Sequence, residues 1–369
     1  MSEKLEETIR HIIEKPVPVL NATVGKPYET LFDFKKFGGK DIRAFEFSGL
    51  EEVGLRYDIK TKLLTGMPIQ SGDLKIILKF KVEGEAEDTP FNEKVFTLII
   101  NPDPKTLWKN LESDKDDPYW KQDDVTMFSP IGDRHILVSS KRGRSHANVG
   151  SFREDDFAFK DLHNGWSIIA VADGAGSAKV SRKGSEIACE SIVNYFLQRS
   201  SIEEMLEVDD LMLDYDPQSP GDIQNKLNLA VYNNLGKAVF TVHKQLEEFA
   251  KSAELSLKDL SSTLVFTLYK KFDQGYVFLS FGVGDCPMAV LSKDVSEVTQ
   301  LTWIDVGDFG GGTRFITMPE IFKSEKFASR FSFKLLKDFS YLMLMSDGIY
   351  DAKLVVEANL ADIKKWKAF

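Results

Sequence analysis

The chain has 369 residues, 43% hydrophobic and 28% charged, enough for a folded core and contrary to wholesale disorder. Acidic residues outnumber basic ones 57 to 47, a net charge of −10 that argues against a nucleic-acid-binding face. The same excess supplies the residue type from which divalent-cation sites are built. At about 100–200 residues per domain, the length suggests two or three domains. Cys189 and Cys286 form neither a CxxC nor a disulfide framework, so a reducing, cytoplasmic setting is expected. The N-terminal stretch is charged throughout, and no segment approaches the ~18 apolar residues of a membrane span, so no membrane partner is expected.

In chain order, Leu5, Ile9, Ile12 and Ile13 recur at helical spacing and predict a short helix within 1–17, ended by Pro16 and Pro18. From 18 to 103 the pattern changes to period two. Leu74, Ile76, Leu78, Phe80 and Val82 alternate with Asp73, Lys75, Lys79 and Lys81 except at position 77, which predicts a strand with one buried face. Shorter strands are expected at 30–33, 42–47, 55–58 and 95–100, separated by turn material, so an all-β sandwich is predicted. Residues 104–125 carry Pro104, Pro118 and acidic runs and read as a linker, with Leu107, Trp108, Tyr119 and Trp120 expected to glue domains together. From 126 to 369, strands expected at 138–140, 167–172, 263–268, 276–281 and 341–345 mix with long helices at 184–197 and 223–250. That mixture predicts an α+β layered domain.

Within 18–103, Gly25-Lys-Pro-Tyr28, Phe45-x-Phe47-x-Gly49-Leu50, Gly54-Leu55-x-Tyr57-Asp58, Leu64-x-Gly66-x-Pro68 and Ser71-Gly72-Asp73 follow one another. This order resembles the Ig-like, cadherin-like domains of many bacterial proteins, a resemblance that implies a spacer or docking module.

The chemistry gathers where acidic motifs end apolar strands. Asp173-Gly174 follows Ile168–Ala172, Asp285 follows Phe281–Gly284, and Ser346-Asp347-Gly348-Ile-Tyr-Asp351 follows Tyr341–Met345. Glu154-Asp155-Asp156 precedes a further apolar run. One Asp-Gly after a strand is usually only a turn. Several such ends on one rim repel one another, and a bound divalent cation is the usual remedy. Competing signals are absent: His11, His135, His146, His163 and His243 show no zinc spacing, and neither GxSxG nor GxxxxGK[ST] occurs. The glycine-rich 307–313 segment reads as a mobile loop near the site.

Together, Arg153-Glu154-Asp155, Val171-Ala-Asp173-Gly174, Ser261-Ser262-Thr263-Leu264, Gly282-Val-Gly284-Asp285, Gly312-Thr313-x-Phe315-Ile-Thr317 and Ser346-Asp347-Gly348-Ile-Tyr-Asp351 resemble the metal-dependent Ser/Thr protein phosphatases of type 2C, from Arg134 to the C-terminus. The resemblance implies an α-β-β-α layered sandwich with two Mg²⁺ or Mn²⁺ ions in the cleft at one end, and a third, looser one. By position, Asp173 is expected to bridge two ions. The Gly174 carbonyl and Glu154 would serve one of them and Asp347 the other. Asp285 and Asp351 would hold the third ion with Asp347, while Asp155 orients metal-bound water. A metal-bridged hydroxide then attacks phosphorus in line.

Three departures from the family pattern stand out. Gly150 occupies the place of a phosphate-gripping Arg, for which Arg144, His146 and Arg153 are candidate substitutes. Ala175 occupies the place of a His general acid, for which His146 is the candidate. The chain also reaches Phe369 soon after Asp351, with 354–369 reading as a helix, where family members continue to a last strand bearing a further Asp. An uncovered sheet edge beside 341–345 and a cleft short of one carboxylate are therefore expected, unless Asp305 or Asp308 takes over the missing ligand's place.

The leading expectation is a cytoplasmic bacterial phosphatase acting on a phosphoprotein, with a Ser/Thr kinase or its target as partner. The alternative is a catalytically weak phosphatase-like binding or scaffold protein.

Overall fold

The computed structural model describes residues 3–305, 312–323, 325–355 and 357–368. The chain divides into two compact units, residues 1–109 and 110–369.

In the first unit the helical spacing of the N-terminal residues produces α1 (Glu3–Glu14), which buries Ile9 and Ile12. A buried cation closes the end of this helix: Lys94 Nζ donates to the Ile13 carbonyl at 2.8 Å and the Lys15 carbonyl at 2.6 Å. Strands β1 (Ala22–Thr23), β2 (Tyr28–Leu31), β3 (Ile42–Ser48), β4 (Leu55–Asp58), β5 (Leu63–Gly66), β6 (Gly72–Val82) and β7 (Asn92–Asn101) form two sheets, ordered β1-β7-β6-β3 and β2-β5-β4. Ile76, Leu78, Phe80 and Val82 of β6 share one core with Phe96 and Leu98 of β7 and with Tyr28, Leu55 and Leu64 of the second sheet. The alternation read from residues 73–82 thus faces as expected at Lys75, which is exposed. Lys81 departs from it: the side chain is buried because its Nζ donates to the Glu87 carbonyl at 2.6 Å and lies over the Phe91 ring.

The second unit opens with the hairpin β8 (Asp124–Ile131) and β9 (Arg134–Lys141), followed by α2 (Arg144–Val149). Then come β10 (Asp156–Asp161), β11 (Ser167–Ala172), α3 (Ser181–Phe196), α4 (Arg199–Leu213) and α5 (Gly221–Ser252). Next are β12 (Leu264–Phe272), β13 (Gly275–Val283), β14 (Met288–Ser292) and β15 (Val298–Gln300). The last elements are α6 (Glu320–Lys323), β16 (Phe331–Leu336), β17 (Phe339–Leu344), α7 (Asp347–Lys353) and α8 (Ile363–Lys367).

Four layers result. Helices α3, α4 and α5 cover one face of the sheet β10-β11-β12-β13-β16 with a core that includes Ile192, Val208, Leu235, Phe266 and Phe281. The other face of that sheet meets the sheet β15-β14-β17 through Tyr269, Phe278, Met288, Val290 and Phe339. Beyond the second sheet, Tyr350, Leu354, Leu360 and Trp366 pack against Ala289 and Leu291 to make a thinner helical layer. The unit is the expected α+β, α-β-β-α sandwich.

Three local differences from the sequence reading have physical causes. Two of the aromatics expected to glue domains together pack within the second unit: Tyr119 lies edge-on against Phe249, and Trp120 Nε1 donates to Ser113 Oγ at 3.0 Å. Helix α4 was not anticipated, because only Met205, Val208 and Met212 mark its inner face between acidic residues. The helix expected over 354–369 is broken into a 3-10 turn, Glu357–Ala361, and α8, where Asp362 caps the new start by accepting from the Lys364 N–H at 2.9 Å. Among the described strands β17 lies at the edge of its sheet.

Candidate active site

The sheet registers bring the acidic motifs to one end of the second unit. Asp156 at the start of β10 stands opposite Ala172 at the end of β11, Leu264 opposite Val283, and Met288 opposite Leu344. Asp155, Asp173, Thr263, Asp285 and Ser346 therefore all emerge on the same rim. The end of β11 is stitched to the start of β12: the Asp173 N–H donates to Thr263 Oγ1 at 2.8 Å, and the Thr263 N–H returns to the Asp173 carbonyl at 2.8 Å. Gly174 is needed for a close approach, since a Cβ there would stand 2.6 Å from the Glu154 carbonyl oxygen.

Asp173 and Asp347 come from distant parts of the chain, yet their carboxyls lie close enough to act on each other electrostatically. Burial first, and then the charges of Asp155, Asp347 and Asp285, push the Asp173 carboxyl up to about 10. Asp155 accepts from Ser346 Oγ at 2.7 Å, and Asp285 from Thr313 Oγ1 at 2.6 Å. Glu154 accepts from Ser181 Oγ and lies 3.9 Å from His146 Nδ1; burial is the main cause that raises its pKa. His146 projects from α2 toward both Glu154 and Gly176.

The predicted residues thus fall into groups. Asp155, Asp173, Asp285 and Asp347 form one electrostatic cluster, flanked by Glu154, Gly174 and His146. Asp351 is exposed one helical turn beyond Asp347 on α7, and Arg144 is exposed on α2 with no hydrogen bond or ion pair among the described residues. Arg153 does not serve as a phosphate clamp. It is buried, with Nε donating to the Gln122 carbonyl at 2.8 Å and Nη1 to Ser140 Oγ at 2.8 Å and the Asp155 carbonyl at 2.6 Å. Asp305, the candidate stand-in ligand, is turned to an internal ion pair instead, accepting from Arg330 Nε at 2.7 Å. Asp308 lies outside the described residues.

Sequence reasoning missed the supports of these carboxylates. Ser181, Ser346 and Thr313 are ordinary hydroxyl residues whose roles depend on distant partners. Lys121 sat in a stretch read as linker, so no signal marked it. Its side chain is largely buried, and burial lowers its pKa against the opposing pull of Asp156.

Among the described residues no three His, Cys, Asp or Glu side chains close around one point as a ready-made metal cage. The donor chemistry nevertheless fits a hard divalent cation. The cluster is all carboxylate oxygen, burial and the neighbouring carboxylates raise the pKa of its central member, and the buried Ser262 Oγ beside Gly174 lacks a hydrogen-bond partner among the described residues.

A layered α-β-β-α unit with carboxylates gathered at one end of its sheets has the architecture expected of a phosphatase of the type 2C class. The model of that family, described as protein phosphatase 2C, matches residues 142–368. The chain belongs to the protein phosphatase 2C family. Similar solved structures include a serine/threonine phosphatase from S. agalactiae, at 13% identity with 66% of this chain and 89% of that chain covered and a TM-score of 0.36. Another is Stp1 from Staphylococcus aureus, at 14% identity, 66% and 81% coverage and a TM-score of 0.32. A third is the catalytic domain of the phosphatase PstP in complex with two manganese ions, at 15% identity, 58% and 90% coverage and a TM-score of 0.30. No curated protein sequence matches the chain.

Proposed function

We propose that the second unit is a metal-dependent protein phosphatase that hydrolyses phospho-Ser/Thr in a phosphoprotein and so opposes a Ser/Thr kinase, in a bacterial cytoplasm. The observation that carries this reading is the strand register that gathers Asp155, Asp173, Asp285 and Ser346-Asp347 on one rim, where ionised carboxylates repel. Asp173, Asp347, Glu154 and the Gly174 carbonyl would hold two Mg²⁺ or Mn²⁺ ions, with Asp285 and Asp351 available to a third. Such ions supply Lewis acidity, lowering the pKa of water and neutralising phosphoryl charge.

The chain's own groups would do the rest. Asp155, fixed by Ser346, presents a carboxylate to orient and deprotonate the attacking water. Thr313 holds Asp285 with one oxygen turned to its hydroxyl. His146, 3.9 Å from Glu154, would pass a proton to the leaving serine or threonine oxygen, and Arg144, which has no ion pair among the described residues, would grip phosphate.

The test is release of phosphate from a phosphoserine or phosphothreonine peptide by the full chain, with Mn²⁺ and with chelator. Mn²⁺-dependent turnover that Asp155→Asn abolishes is expected; turnover indifferent to chelator would defeat the proposal. The second reading is a phosphatase-like binding protein that does not turn over substrate. Calorimetry with Mn²⁺ separates the two, since a binding protein of that kind would take up no Mn²⁺ below millimolar concentration.

A further inference from the structure

Lys121 is a heavily engaged, largely buried cation near the carboxylate rim, and the chemistry proposed above does not use it. Its side chain is only 10% exposed. Nζ donates to Asp156 Oδ2 at 2.9 Å, to the Asp155 carbonyl at 3.0 Å and to the Arg182 carbonyl at 3.0 Å. Longer contacts reach Ser185 Oγ at 3.3 Å and the Glu154 carbonyl at 3.5 Å. An ammonium has three protons, and all of them are spent here on two segments. One is the Glu154–Asp156 turn that enters β10. The other is the first turn of α3, whose Ser181 bonds the Glu154 carboxylate and whose Ser185 bonds the Glu154 carbonyl.

We propose that Lys121 is a positioning residue for the Glu154–Asp155 pair: by tying their backbone carbonyls to α3, it sets where the two carboxylates project into the cleft. The inference rests on the phosphatase reading for its effect on turnover, but its effect on cation binding stands apart from turnover. Burying an ammonium is costly, and Asp156 offsets part of that cost. A residue needed only to neutralise Asp156 would bond that carboxylate and nothing more. Lys121 instead reaches the backbone of both carboxylate residues, as expected of a group that orients ligands from behind.

Two variants of the full chain separate positioning from charge balance. Lys121→Met leaves Asp156 without its nearest cation and should lower the melting temperature. Adding Asp156→Asn removes the charge that Lys121 balanced, which Arg153 Nη1 meets only at 3.7 Å, and should restore the melting temperature. If Lys121 positions the pair, the double variant still binds Mn²⁺ about 10–100-fold more weakly by calorimetry, the loss usual when a group behind a metal ligand is removed. Its kcat on a phosphopeptide should fall in parallel with little change in KM. A double variant that recovers stability and Mn²⁺ affinity together would show that Lys121 merely balances Asp156 and would overturn the inference. If the wild-type chain binds Mn²⁺ but turns over no phosphopeptide, the phosphatase reading fails while the affinity comparison still decides the role of Lys121.

Discussion

Asp173 concentrates the physics of the rim in one side chain. Its folded-state pKa of about 10 lies far above the roughly 3.9 of an unfolded Asp, so the folded chain binds this proton more tightly. The resulting stability is fully present below about pH 4 and is lost as pH rises toward 10. Metal-free protein should therefore melt at progressively lower temperature across about pH 5 to 9, and scanning fluorimetry at several pH values would show it. Mn²⁺ should reverse that trend, because ligand deprotonation becomes easier as pH rises, so its stabilising effect should be larger at about pH 8 than at about pH 6. Asp173→Asn should abolish Mn²⁺-dependent turnover while flattening the metal-free pH dependence. A variant that melts much lower than wild type without metal would contradict the account.

At the scale of elements, α3 decides how the carboxylates are backed. Gly184 lies inside this helix, where glycine costs about 1 kcal/mol relative to alanine. It is nonetheless required, because a Cβ would stand 1.9 Å from the Leu260 carbonyl oxygen in the adjoining 3-10 turn, Leu257–Leu260. Both parties at that contact are backbone, so neither can swing aside. Gly184→Ala should cost about 1–3 kcal/mol through forced separation, despite its better helix propensity. The displaced helix carries Ser181, Arg182 and Ser185, so Mn²⁺ affinity should fall with stability in chemical denaturation and calorimetry. In the first unit, Leu78→Ala should cost about 2–5 kcal/mol because its side chain is fully buried. Lys75→Ala, on the exposed face of the same strand, should be close to neutral.

For the whole molecule, the division at 109 and 110 makes a separable prediction. Each unit has its own buried core, one built on Ile76, Leu78 and Phe80 and the other on the five-stranded sheet and its helices. We propose that the first is an independent β module and the second carries all of the catalysis. Residues 110–369 alone should bind Mn²⁺ and turn over a phosphopeptide with unchanged kcat, and residues 1–109 alone should unfold cooperatively in urea. Loss of turnover in the isolated second unit would show that the first contributes to the site. No helix among the described residues is long and apolar enough to cross a membrane.

The residues themselves announced the strands and the site's carboxylates wherever the information was local. Period-two alternation in 73–82 and the apolar runs before Asp173, Asp285 and Asp347 reflect burial on one or both faces of a strand, which a single segment records in its own composition. The layered α+β class followed from the order of such segments. What depended on partners far along the chain was invisible there. Only the fold showed that Arg153 and Asp305 are spent on internal bonds, that Ser346 and Thr313 hold Asp155 and Asp285, and that Lys121 reaches under Glu154 and Asp155. A hydrogen bond's partner is chosen by proximity in space, and a side chain's type fixes its capacity to donate or accept but never which distant group will meet it.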